Sequence, residues 1–222
     1  IAIDPATPFF VFDGLRNEMP EAQFLNGACV TAACRMIKSK NEIALIQFAM
    51  HLTLKVQRAA ARILKPGIST LDVQDFLAKA HIKLGSDSPP PFRIVLFGQP
   101  TAYPHGVPYP QELKEGDMVL IDTGEPVDGY FSDITRRYVF GEPTARQREI
   151  WNLEQRAQAA AFEAAQVGTP AEQVDRAARR VIEDAGFGPG YKVPGLAHRT
   201  GHGIGLDVHE ETYIVEGNQT PL

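Results

Sequence analysis

Residues 118–139 read MVLIDTGEPVDGYFSDITRRYV, a string that folds back on itself. Met118–Ile121 is a continuous apolar run of the buried-strand type, and it ends in Asp122. Pro126 and then Asp128–Gly129 interrupt the run; Asp-Gly between strand-like stretches is a strong hairpin signal. The chain returns as Tyr130 to Tyr138 with Asp133 inside. With the turn centred between Val127 and Asp128, Asp122 stands directly opposite Asp133, and opposed residues share a face with Cβ atoms ~4.5–5.5 Å apart. Either both carboxylates are solvated at strand ends, or their repulsion and desolvation must be offset. A shared proton offsets them; a bound cation does so better. Such a pair of oxygen ligands, joined by an imidazole, suits Mn²⁺, Co²⁺, Zn²⁺ or Fe²⁺.

Imidazoles are at hand. Of six histidines, His51 and His81 fall in helical segments and read as structural, whereas His198, His202 and His209 crowd into HRTGHGIGLDVH, residues 198–209. Gly201, Gly203 and Gly205 alternate around His202, which lets the backbone approach closely and aims the ring. The spacing does not match a dinucleotide-binding glycine loop. His105–Gly106 supplies a fourth histidine outside the helices, and three in twelve residues plus this one argue for a site.

The segments around these motifs are helical. Ser39 and Glu42 form a capping box, with Ile43, Ile46, Met50 and Leu54 following at helical spacing until Pro66–Gly67. A second helix runs from about Thr70 to Leu84, with Val73, Leu77 and Ala80 on one face, and Gly85 ends it; Arg93 to Phe97 reads as a strand. The grammar then repeats. Thr144 and Gln147 cap a long Ala-rich helix, and Thr169 and Glu172, with Pro170 at the first helical position, cap another that ends near Gly186. Gly67 to Gly85 and Gly168 to Gly186 are equal intervals, with Val73 and Val174 at matching places, so the chain reads as a duplicated unit. Ahead of it, residues 1–34 are mixed: a short apolar run at Phe9–Phe12, a loop punctuated by Gly14, Asn17 and Pro20, and a turn at Asn26–Gly27.

Composition bounds the possibilities. The 222 residues are 44% hydrophobic and 22% charged, a globular profile. The net charge of −5 offers no basic field for nucleic acid or anionic lipid, and no apolar run approaches a membrane span. Cys29 and Cys34 match neither a zinc knuckle nor a redox pair and read as small buried thiols in a reducing cytoplasm. The start at Ile1 resembles neither a signal nor a transit peptide and reads as the middle of a longer protein.

Together, Ile121–Gly124, Gly129–Arg136 and Gly201–Gly205 resemble the motifs of the pita-bread metallopeptidases, a group that includes aminopeptidase P, Xaa-Pro dipeptidase (prolidase) and methionine aminopeptidase. Arg35–Ser39 with Glu42–Ile43, and Leu206–His209, lean to the Xaa-Pro branch. The resemblance covers residues 35–222. It implies an α+β pita-bread fold with an internal pseudo-twofold repeat, residues 35–222 being an incomplete catalytic domain and residues 1–34 the end of a preceding domain plus linker. It implies Asp122, Asp133 and His202 as metal ligands, His105 and His209 lining the substrate site, and His198 as a substrate-contact or supporting residue. The implied reaction is hydrolysis of the bond preceding proline in dipeptides or short peptides by a metal-bridging hydroxide, with two ions of Mn, Co or Zn. A cytoplasmic homodimer is the implied setting.

The family's site also uses two glutamates downstream of the histidine motif. Glu210, Glu211 and Glu216 do not stand in the matching context and read as solvated loop charges. The chain is therefore expected to be a portion of a longer protein, with site and sheet incomplete at the C-terminal end. The competing readings are a methionine aminopeptidase, an ectoine-hydrolase-like enzyme, or a metal-free pita-bread module that only binds peptides.

Overall fold

The computed structural model describes every residue of the chain except 104. At the N-terminus, β1 (Ala2–Ile3), α1 (Phe9–Glu18), β2 (Leu25–Asn26) and α2 (Ala28–Met36) form a small unit in which β1 and β2 pair in parallel. Residues 9–18 are thus helical where Gly14 and Asn17 suggested a loop; Pro8 sets the start, and the chain turns into helix without a side-chain cap among the described residues. Cys29 and Cys34 lie exposed on α2, which buries none of its residues, so the expectation of buried thiols is overturned.

The helix α3 (Lys40–Ile63) starts as its sequence demands: the Ser39 hydroxyl accepts from Glu42 N–H while the Glu42 carboxylate accepts from Ser39 N–H. Its buried face is Ala49, Leu52, Thr53, Val56, Gln57 and Ala60, a stripe one step round from the Ile43–Leu54 series, with Ile43 exposed. Two polar residues therefore sit on the core side. The helix α4 (Thr70–Leu84) has its own capping box, Ser69 with Asp72, and stops at Gly85. Val73 and Leu77 of α4 pack with Val56, Val95, Val119 and Ile121 into the main core.

Over that core lies a three-stranded antiparallel sheet of β3 (Arg93–Phe97), β4 (Met118–Thr123) and β7 (Ile134–Val139), with β4 central; a 3₁₀ turn, Gln99–Ala102, follows β3. Between β4 and β7 the hairpin tip is β5 (Pro126–Val127) paired with β6 (Tyr130–Phe131). Its central residues are Asp128 (φ 48°) and Gly129 (φ 78°), both left-handed, as a two-residue hairpin loop of type I′ requires. The turn thus centres one residue later than the sequence reading placed it. Asp122 pairs with Thr135 rather than Asp133. A shift of two in partner preserves the face, so the aspartates become diagonal neighbours instead of directly opposed ones.

The second half repeats the first: α5 (Ala145–Ala164) with the Thr144–Gln147 capping box, then α6 (Ala171–Asp184), β8 (Gly201–Gly203) and β9 (Glu210–Ile214). The duplication extends to single hydrogen bonds. Gly67 N–H donates to Leu113 and Gly168 N–H to Leu222; Thr70 N–H donates to Gln111 and Ala171 N–H to Thr220; Leu113 and Leu222 return bonds to Ile68 and Thr169. The glycines that open and close each shorter helix, Gly67, Gly85, Gly168 and Gly186, all have positive φ.

The expected Thr169–Glu172 capping box does not form among the described residues. Pro170 is the N-cap, and the carbonyls of Asn218 and Thr220 take the first amides of α6, leaving the Glu172 side chain to bond Arg176 and Gly217 N–H. Among the described residues no helix is long and apolar enough to cross a membrane.

Candidate metal centre

Asp122 closes the buried run of β4, and Asp133 occupies the irregular step between β6 and β7. The strands can come together at that step because of Gly124: a Cβ there would overlap the Ser132 carbonyl oxygen. Burial, reinforced by the charge of Asp133, pushes the Asp122 carboxyl up from its ordinary value to about 6. Its Oδ1 is buried and has no hydrogen-bond partner among the described residues. An orphaned, buried carboxylate oxygen beside a second carboxylate is a donor set that a cation fits and a proton satisfies only in part.

His202 lies in β8, which pairs antiparallel with β9. Its Nδ1 is 2.8 Å from the Gly203 carbonyl oxygen, which can only accept, so Nδ1 carries a proton and Nε2 is the nitrogen left to take either a metal or a second proton. That Nε2 points at Asp133 Oδ2, 3.4 Å away. The Asp133 hydrogen bond outweighs the effect of burial and raises the pKa of His202. The His209 ring stands edge-on to His202, centroids 4.3 Å apart at 90°. Burial, then the neighbouring positive charges of His202 and Arg199, lower the pKa of His209 and favour a neutral imidazole. The backbone crossing that allows this needs glycine at 203, where a Cβ would overlap the Glu211 carbonyl.

Ligand atoms of Asp133, His202 and His209 all lie within 4.8 Å of one another. Asp133 thus stands between the two parts of the site, facing the two histidines on one side and acting by its charge on the Asp122 carboxyl on the other. His209, read from the sequence as a substrate-site residue, stands at ligand range as well. His105 is exposed on the loop after the 3₁₀ turn, and its charge is felt at His209. His198 lies outside the cluster: it is exposed, its Nδ1 is 2.7 Å from the Arg199 carbonyl, and it lines a groove of about 790 Å³ with Thr135, Trp151 and Ile214.

Three supporting features escaped the sequence reading. Glu210 is not a solvated loop charge: it is 7% exposed and accepts from Arg35 and from Lys38 Nζ at 2.8 Å, tying the end of α2 to the strand that follows His209. The Arg35–Lys38 motif in the resemblance was the available signal. Glu211 and Glu216 are exposed, as expected. The second feature is Asp175–Arg179 on α6, 0% and 5% exposed, joined at 2.6 Å. The Arg179 guanidinium donates to the carbonyls of Gly190, Leu196 and His198, while Asp175 accepts from Thr200 N–H and Oγ1–H. Their i,i+4 spacing beside apolar Val174 and Ala178 was the only trace in the sequence. The third is the polar face of α3, Thr53 and Gln57, beneath the hairpin.

Comparison with known proteins gives a consistent picture. The pattern of metallopeptidase family M24 matches residues 44–222. The chain is 43% identical over 189 residues to a probable dipeptidase PepE of Mycobacterium bovis, covering 85% of this chain and 49% of that protein. It is 36% identical over 225 residues to a Xaa-Pro dipeptidase of Pyrococcus furiosus, covering 100% and 62%. The crystal structure of a prolidase from Thermococcus sibiricus superposes with a TM-score of 0.90 at 32% identity, covering 100% of this chain and 59% of that one. The chain therefore spans between about half and three-fifths of the length of these relatives.

Proposed function

Because the chain belongs to metallopeptidase family M24 and shares the pita-bread fold of its prolidases, we propose that the whole protein is a metal-dependent peptidase that hydrolyses the bond preceding proline in dipeptides or short peptides. The observation that carries this reading is the meeting of Asp133 with His202 and with the half-buried Asp122, whose Oδ1 is left without a partner among the described residues. Asp122, Asp133 and His202 would hold divalent ions, two of them and of the Mn, Co or Zn type, with residues 35–222 acting as catalytic domain behind a preceding domain that ends near residue 34. A divalent ion bound there supplies Lewis-acid polarisation of the scissile carbonyl and lowers the pKa of adjacent water.

The protein's own groups do the rest. Asp133, shared between Asp122 and the histidines, fixes where the charge of the site is centred. The Nδ1–H bond to Gly203 holds His202 in one tautomer and one orientation. His209, kept neutral chiefly by burial, retains a ring N–H to donate to oxygen as negative charge develops there. His105, exposed and within electrostatic reach of His209, would contact the substrate carbonyl in this reading. The relatives named Xaa-Pro dipeptidase and prolidase support the proline preference, and the 43% identity to a probable dipeptidase supports dipeptides over longer chains. A metal-free peptide-binding module is disfavoured, since such a module has no need to keep two carboxylates and an imidazole converged.

The test is to strip the whole protein of metal, restore Mn²⁺, Co²⁺ or Zn²⁺, and assay Xaa-Pro dipeptides, longer Xaa-Pro peptides and Met-initiated peptides. Metal-dependent release of proline is the expected outcome. Failure of metal-replete protein to bind any divalent ion would remove the reading, and preference for Met peptides would reassign the substrate.

A further inference from the structure

The side chains that hold the two aspartates in place come from behind the sheet. Gln57 of α3, 4% exposed, uses its single amide nitrogen twice: Nε2 donates to the Ile121 carbonyl at 3.1 Å and to the Ile134 carbonyl at 2.9 Å. Ile121 is the residue before Asp122, and Ile134 is the residue after Asp133. Both partners can only accept, so the amide orientation follows from chemistry. The other two neighbours of the aspartates are also tied down. Thr123 Oγ1 is 3.2 Å from His81 Nε2 on α4, and Ser132 Oγ is 2.8 Å from Thr53 Oγ1 on α3. Every residue flanking an aspartate is thus gripped by a buried polar side chain from a helix.

We propose that Gln57 is a positioning residue that sets the spacing of Asp122 and Asp133 for metal, by bridging the two strands where their own ladder breaks off. Register pairing is continuous only as far as Thr123 with Ile134, and it resumes at Pro126 with Phe131. The gap holds Asp133 and leaves it without a strand partner to fix its height above the sheet. One –NH₂ group pinning a carbonyl on each strand supplies that constraint. Its cost is visible: Gln57 Oε1 is buried with no partner among the described residues, an unpaired acceptor that an apolar side chain would not have introduced. A leucine filling the same space would carry no orphan of its own but would strip both carbonyls of this donor, so stability and positioning have to be separated by experiment. The inference rests on the reading of Asp122 and Asp133 as metal ligands, and the experiment separates the two.

The whole protein is compared with its Gln57→Glu, Gln57→Leu and Gln57→Asn variants. Glu is isosteric but has no donor when ionised and only one when protonated, so it cannot pin both carbonyls; Leu is apolar, and Asn keeps the amide on a stem too short to reach both. Val73→Ala, a core change on α4, is the control chosen for a matching fall in Tm. The readouts are Co²⁺ and Mn²⁺ dissociation constants, the visible absorption of the Co²⁺-loaded protein, and kcat separated from KM. For each variant that folds, metal affinity is expected to weaken roughly tenfold, as when outer support of a ligand is removed. The Co²⁺ spectrum should change and kcat should fall with KM nearly constant, while Val73→Ala leaves all three as in the parent. Folded Gln57 variants with parental affinity and spectrum would overturn the proposal. So would equal weakening by Val73→Ala. A parent that binds neither ion overturns the underlying metal-site reading instead.

Discussion

The two sequence motifs that meet at the site are held by opposite chemistry. The buried support of the carboxylate hairpin comes from uncharged groups, the Gln57 amide and the Thr53 and Ser132 hydroxyls, and from a His81–Glu125 pair at 2.9 Å, both fully buried, while the Asp87 and Glu42 carboxylates accept from Gly129 N–H and the Tyr130 hydroxyl at its outer tip. The histidine-bearing segment is supported by a charge: one guanidinium, Arg179, reaches three carbonyls and is itself neutralised by Asp175. The difference follows from what each backbone leaves unsatisfied. The hairpin pairs most of its own amides and carbonyls through the β4–β7 and β5–β6 ladders, so one or two neutral donors complete it. Residues 188–200 contain no helix or strand, and their inward carbonyls need a donor with several N–H groups in a fixed fork. Regular structure is completed by a neutral donor, and irregular structure needs a charged one.

The contrast makes unequal predictions. Arg179→Met leaves Asp175 buried and unpaired and three carbonyls without their donor, so it should cost about 3–5 kcal/mol in urea unfolding. The Asp175→Asn, Arg179→Met double variant should recover part of that loss, since the stranded charge is then gone. A strictly additive double variant would mean that the pair is not acting as a unit and that the loop is held otherwise.

A pH effect of defined sign should appear on the hairpin side. Asp122 has its folded pKa raised from 3.8 to about 6. The stability it contributes is fully present below pH 3.8 and is lost as pH rises through 6, because the folded state then has to carry a buried charge. Metal-free protein should therefore lose on the order of 1–2 kcal/mol between pH 4 and pH 7 through this group, a figure reduced for its partial exposure. Asp122→Asn should flatten that slope, and saturating Mn²⁺ should reverse it. An unchanged slope in the variant would place the titration elsewhere.

Next comes Thr53→Val, which removes one neutral hydroxyl while Ser132 keeps its bonds to Glu125. About 1 kcal/mol is expected from equilibrium unfolding. If this variant cost as much as Arg179→Met, the division between neutral and charged support would be wrong.

The same contrast explains which features could be read from sequence. The capping boxes at Ser39 and Thr144, the Asp128–Gly129 turn and the paired glycines 67/85 and 168/186 are local signals, and they placed the helices, the hairpin and the duplication. The hairpin register depended on which residues adopt positive φ, and a one-residue error in the turn moved the partner of Asp122 from Thr135 to Asp133. Asp122, Asp133 and His202 were legible as a set through the family resemblance. Gln57 and Thr53 were not, because a polar residue on an apolar helix face reveals nothing about partners 64, 77 or 79 positions away; nor were Glu210, whose partner Arg35 lies 175 positions back, and Arg179, whose carbonyl partners sit in a segment with no helix or strand. Thr169 misled for the converse reason: a sound local capping signal lost to the carbonyls of Asn218 and Thr220, which no local pattern connects to it.

The smallest effect belongs to Glu216, and it is informative because it should be nil. Glu216 pairs with Arg176 at 2.7 Å, so a list of contacts would count it among the supports of the histidine half. Yet the two side chains are 46% and 52% exposed, and their attraction competes with water, salt and the entropy of two long side chains. Asp175–Arg179, on the same helix and of similar length, differs only in being buried and in serving backbone carbonyls that water does not reach. Glu216→Gln should leave the unfolding midpoint and the metal affinity where they were, at low and at high salt. A loss that salt abolishes would show that surface charge, and not the buried fork under residues 190–200, keeps the histidines in place.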